Sequence, residues 1–134
     1  MTAIVDIEGI GEAYTAKLKD AGINTTEALL DRCATPKGRK EVAEVTGISQ
    51  KLVLEWANHA DLMRIKGVST QYSDLLEAAG VDTVRELAQR NAQNLCGAMA
   101  ETNESKNLVR KLPTESQVAD WVQQAKSLPR ILSY

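Results

Sequence analysis

Phenylalanine is absent from this chain, and two tryptophans and three tyrosines are its only aromatic residues. Leucine, alanine, valine and isoleucine must therefore fill most of any core. Cysteine is nearly absent too. Cys33 and Cys96 stand far apart with no C-x-x-C pattern, which excludes a disulfide framework and gives no zinc site. They read as buried thiols acting as small apolar residues. The single histidine, His59, falls in a helical segment beside Trp56 and Ala60, without a Cys or His partner at ligand spacing, so no metal role is expected. No apolar run is long enough to cross a bilayer. The amino end carries acid and no basic n-region, which predicts no secretion signal and a cytoplasmic protein.

A charge surplus is also missing. Sixteen basic residues face eighteen acidic ones, a formal net charge of −2. Strong binding to nucleic acid by general electrostatics alone usually needs a basic excess. Catalytic signatures are lacking as well: no Ser/His/Asp or Cys/His arrangement, no Walker loop, no dinucleotide fingerprint and no paired-carboxylate motif. The expectation is a non-enzymatic protein with no cofactor, no metal and no small-molecule substrate.

What is present is self-similarity. Ile7-Glu8-Gly9-Ile10 returns as Ile65-Lys66-Gly67-Val68, and Tyr14, Leu18, Ala21, Gly22, Thr25, Leu29 and Arg32 return as Tyr72, Leu76, Ala79, Gly80, Thr83, Leu87 and Arg90. Nine of the 26 positions in 7–32 are identical to their counterparts in 65–90, where ordinary composition gives roughly one in sixteen by chance. Trp56 and Ala60 correspond to Trp121 and Ala125 at a shift seven residues larger, so the second copy holds an insertion within 91–112. The chain reads as a duplication, with one copy over about 5–62, another over about 63–128 and a tail at 129–134. A length of 134 residues suits one domain. No Gly/Ser-rich linker separates the copies, which predicts a single body over 1–134.

Each copy predicts about four short helices, hence an all-α fold. Gly9-Ile10-Gly11 opens a helix to about Ala21 with Tyr14, Leu18 and Ala21 on one face. Gly22 and Gly80 stand where left-handed residues end helices. Thr25 or Thr26 starts a second helix, and Thr83 with Glu86 has capping-box spacing at the matching place. Thr35-Pro36 launches a third helix, and Gly47-Ile48-Ser49 turns into a fourth whose stripe includes Val53, Trp56 and Ala60. Pro113-Thr114-Glu115-Ser116-Gln117 opens the last helix, again with capping-box spacing; its stripe is Val118, Trp121, Val122, Ala125 and Leu128.

The segment from Ile7 through Leu18, with its Gly-apolar-Gly core and the small residue Thr15 four positions beyond, resembles the helix-hairpin-helix motif. The Ala-Gly-(Ile/Val)-x-Thr pattern after each first hairpin is similar to the carboxy-terminal domain of the bacterial RNA polymerase α subunit. Nearly the whole chain resembles a bacterial family of tandem helix-hairpin-helix proteins known only as a domain of unknown function. That resemblance implies the fold and no particular activity. Helix-hairpin-helix proteins commonly hold DNA backbone through hairpin amides and nearby Lys or Arg, without reading bases.

The physics agrees with that use. Glycine lets backbone approach a ligand closely, and a helix start presents unpaired N–H groups with the positive end of the helix dipole behind them. Such a turn can hold a phosphate. The candidate contacts are Gly9 and Gly11, Gly47 and Ser49, and Gly67 and Ser69, with Ile10 and Val68 as their core anchors. Glu8 and Glu12 work against the first turn and Lys66 favours the Gly67 turn, while Pro113 has no N–H for a fourth. Lys37, Arg39 and Lys40 form a basic cluster at the third helix, and Lys106, Arg110 and Lys111 form another inside the insertion. Each cluster reads either as a solvated face or as a phosphate contact. The leading expectation is a DNA or other nucleic-acid backbone-binding module. Its competitor is a protein-interaction or scaffold module with no nucleic-acid contact. No membrane partner is expected.

Overall fold

A computed structural model describes residues 3–4, 7 and 10–133. Among them the fold is all-α, with eight helices: α1 (Gly11–Asp20), α2 (Thr26–Arg32), α3 (Pro36–Thr46), α4 (Gln50–Leu62), α5 (Thr70–Ala78), α6 (Val84–Ala88), α7 (Ala92–Lys106) and α8 (Glu115–Ser127). The only extended pairing among the described residues is an isolated antiparallel bridge between Ala3 and Thr25. The chain divides into two units, one comprising Met1–Asp61 with Ile131–Tyr134 and the other Leu62–Arg130.

The first unit is held by short caps and by α3, which packs on α1 and α2. Thr25 caps α2 by accepting from Ala28 N, and Thr35 caps α3 by accepting from Gly38 N. Each removes one orphan donor from a helix start, a contribution of about 1 kcal/mol. Pro36 stands in the first turn of α3, where its missing N–H costs nothing. Ile10, Leu18, Ile23, Leu29, Val42, Val53 and Trp56 are all buried. Tyr14 is half-buried and meets the Trp56 ring at 5.1 Å with a 59° tilt.

Residues 131–133, at the carboxy-terminal end, pack into this unit. Leu132 is buried, Ser133 N donates to Ala34 O at 2.8 Å, and Arg39 Nη2 donates to Ser133 O at 2.7 Å. Arg39 Nη1 donates to Cys33 O at 2.9 Å. The Arg39 side chain thus joins the α2–α3 corner to the end of the chain, at 6% exposure.

Cys33 lies in the same corner, fully buried. Burial pushes its thiol up to about 11, against the smaller opposing pull of the Arg39 and Arg32 charges. A folded thiol pKa above the unfolded one favours the native state only while the unfolded thiol is also neutral. Stability is therefore expected to fall as pH climbs from about 9 toward 11. Cys96 is half-buried and, like Cys33, free. Native protein mixed with a disulfide reagent at pH 8 should release one equivalent of chromophore promptly, from Cys96. The second should appear at the rate of unfolding, and two fast equivalents would mean that the corner opens readily.

In the second unit α8 packs against α6 and α7, and α5 against α7. Leu62, Ile65, Val68, Leu75, Leu76, Leu87, Leu95, Met99 and Trp121 belong to one buried cluster. Tyr72 meets Trp121 at 5.3 Å with a 53° tilt. At the start of α6, Thr83 Oγ1 accepts from Glu86 N. The reciprocal capping box forms at the start of α8 between Thr114 and Gln117. The seven extra residues are taken up in this unit by α7, fifteen residues against eleven in α3, and by the connection 107–114 that follows it.

Candidate nucleic-acid interface

The turn that opens α5 is built from its apolar anchors outward. Ile65 and Val68 are buried, and the chain between them is wound tight by Ile65 N donating to Leu62 O at 3.1 Å and Val68 N to Ile65 O at 3.2 Å. That winding drives Gly67 to φ 98, a conformation that side-chain-bearing residues rarely adopt. Gln124 of α8 then clamps the preceding residue from both sides: Lys66 N donates to Gln124 Oε1 at 2.9 Å, and Gln124 Nε2 donates to Lys66 O at 3.1 Å. The same Nε2 also reaches Asp120 Oδ2 at 2.9 Å. Ser69 caps α5 by accepting from Tyr72 N. The Lys66 side chain, Gly67 and Ser69 are exposed.

Part of the second basic cluster is tied to α5 through its backbone. Asn103 ties down the connection after α7 through two bonds with Val109, its Oδ1 accepting from Val109 N at 2.9 Å and its Nδ2 donating to Val109 O at 3.1 Å. Tyr72, in the first turn of α5, donates from its hydroxyl to Lys111 O at 3.0 Å. The backbone carrying exposed Arg110 and Lys111 is thereby pinned beside the helix start that follows Lys66 and Gly67. Cations gathered around open helix amides are what an anion requires.

The remaining candidates behave differently. Gly9 lies outside the described residues. Gly11 is exposed with φ 68 and opens α1, whose N-cap residue, Ile10, gives no side-chain cap, and Glu12 stands in the first turn. Gly47 is the left-handed C-cap of α3 and spends its N–H on Ala43 O. Ile48 N donates to Thr46 Oγ1, and the Ser49 hydroxyl accepts from Leu52 N. That turn closes on itself and leaves little for a ligand. Lys37 and Lys40 are exposed, but Arg39 is not a surface cation. The expected three-residue patch is corrected accordingly: the Arg39 guanidinium faces inward because a buried carbonyl, that of Cys33, and a partly buried one, that of Ser133, take its donors there.

Residues 8–128 match the family model of a domain of unknown function, DUF4332. The chain belongs to that family. No curated protein and no solved structure matches it. Within this DUF4332 chain, the features of the Gly67 turn that sequence reasoning missed are Gln124, Tyr72 and Asn103. Tyr72 reads as a core residue from its periodicity, and its ring does pack on Trp121, but its hydroxyl holds the insertion. Gln124 and Asn103 carry no sequence signal, since an amide on an amphipathic helix is ordinary until its partner's backbone is known.

Proposed function

We propose that this chain is a non-enzymatic module that binds nucleic-acid backbone, built from two copies of a helix-hairpin-helix unit, with the Gly67 turn of the second unit as its principal phosphate contact. The hydrogen bond from Tyr72 to Lys111 supports this reading, because it ties the backbone of a basic segment to the first turn of α5, the helix that Lys66 and Gly67 precede. The duplication draws support from the matching ring pairs, Tyr14 with Trp56 and Tyr72 with Trp121. The copies have diverged in charge. Residues 1–61 hold seven basic and ten acidic side chains, a net of −3, and residues 62–130 hold nine and eight, a net of +1. The second unit is the one an anion would approach.

Fluorescence anisotropy with labelled single-stranded and duplex oligonucleotides at low salt tests the proposal. With about three cations engaged, the logarithm of affinity should fall with the logarithm of salt at a slope of about −2 to −3. Lys66→Glu is expected to weaken binding by tenfold or more, because it removes one attraction and adds a repulsion. It should do so without disturbing the fold, since Gln124 holds the Lys66 backbone and not its side chain. Lys37→Glu, in the other unit, should have little effect. Absence of binding at tens of micromolar protein would end the proposal and favour a protein partner, which a nuclease-insensitive pull-down would then identify.

A further inference from the structure

The Gly67 turn holds a donor that neither the helix start nor the lysines account for. A side-chain carbon placed on Gly67 would lie 3.0 Å from Trp121 Nε1 and 3.9 Å from each flanking ring carbon, Cδ1 and Cε2. A point over the ring face would be nearly as close to the carbons as to the nitrogen. The wide, equal separation from both carbons instead puts that point along the N–H bond. The indole N–H is therefore aimed at the space that Gly67 leaves empty. Trp121 is 2% exposed, and among the described residues its N–H has no acceptor. The nitrogen atom itself is not sealed from solvent, so an acceptor arriving over Gly67 can reach this donor.

We infer that Trp121 Nε1–H is a ligand-binding donor: it gives a hydrogen bond to an oxygen of a phosphate group resting on Gly67, with the amides at the start of α5 and the side chains of Lys66 and Lys111 completing the site. This deepens the proposed function and rests on the same turn. It explains why residue 67 lacks a side chain for two separate reasons. The positive φ disfavours one, and any β-carbon would cover the indole donor. The site recognises the phosphate group itself. A nucleic-acid backbone and a free phosphate share that chemistry, so the test must separate them.

The ¹⁵N-labelled full chain is titrated with sodium phosphate, and separately with a thymidine dinucleotide bearing one internal phosphodiester, each against chloride at matched ionic strength. The Trp121 indole N–H signal should move and saturate while that of Trp56 stays in place. Trp121→Phe, which keeps an aromatic ring against Tyr72 and loses the N–H, should weaken binding by about tenfold. A Trp121 signal that neither ligand moves, or that moves together with that of Trp56, overturns the inference, and this readout on the unaltered chain does not depend on the variant folding. If oligonucleotide binds and Lys66→Glu abolishes it while the Trp121 signal stays still, the indole donor is wrong and the backbone-binding proposal stands. If phosphate alone moves the signal and no oligonucleotide binds, the donor is right, its ligand is a free anion, and the nucleic-acid reading falls.

Discussion

Replacing Arg39 by alanine is expected to lower the free energy of unfolding by about 3 kcal/mol. The side chain is 6% exposed and gives one hydrogen bond to Cys33 O and another to Ser133 O. Hydrogen bonds from a charged donor contribute more than neutral ones, and truncation removes the donor from the buried Cys33 carbonyl and from the partly buried Ser133 carbonyl. Lost packing of the aliphatic stem adds to the effect. Lys37→Ala and Lys40→Ala, on either side and exposed, should each stay within about 0.5 kcal/mol of the parent. Urea unfolding followed by circular dichroism separates the three. An Arg39→Ala protein as stable as the lysine variants would mean that the guanidinium does not hold this corner.

The second large effect is expected at Gly38, where alanine should also cost about 3 kcal/mol. Helix propensity alone predicts the reverse, since alanine in place of glycine inside a helix gains about 1 kcal/mol. Sterics decide the sign. A β-carbon at residue 38 would stand 2.3 Å from the backbone carbonyl oxygen of Arg32 and 3.3 Å from Thr35 Oγ1. Ordinary contact needs about 1 Å more, and a backbone oxygen at the end of α2 cannot yield that distance without moving the helix. The φ of Gly38 is not in the left-handed region, so the cost comes from approach and not from backbone strain. Thermal melts of Gly38→Ala should show a clear drop in Tm, and an unchanged or raised Tm would leave propensity as the controlling effect.

These two residues show where sequence reading fell short. The run Lys37-Gly38-Arg39-Lys40 reads as a basic cluster because charge is what a sequence displays. Its glycine and its arginine answer to neighbours that no local pattern reveals: a carbonyl of the preceding helix and a carbonyl ninety-four residues later. The helices themselves were legible, because caps and turns act over three or four residues. Thr25, Thr35, Thr83 and Thr114 all cap their helices; the reciprocal box that the spacing predicts forms at Thr114, whereas at Thr83 only the bond from Glu86 N to the threonine forms. Trp56 and Trp121 lie in the core as their stripes require. The Gly67 turn was legible as a turn, and Lys66 as its favourable cation. The tie between Lys111 and the first turn of α5 was not, because it depends on a tyrosine hydroxyl reaching the backbone of an insertion.

The path of the chain through its two units has a consequence for dissection. Ile131–Tyr134 belongs with Met1–Asp61, and all of Leu62–Arg130 is threaded between. The second unit is in effect a guest sequence within a discontinuous host. A fragment ending at residue 61 would lack the carbonyl that Arg39 grips and the apolar plug of Leu132. The amino-terminal half is therefore not a self-sufficient piece, even though the repeat in the sequence invites cutting the chain there.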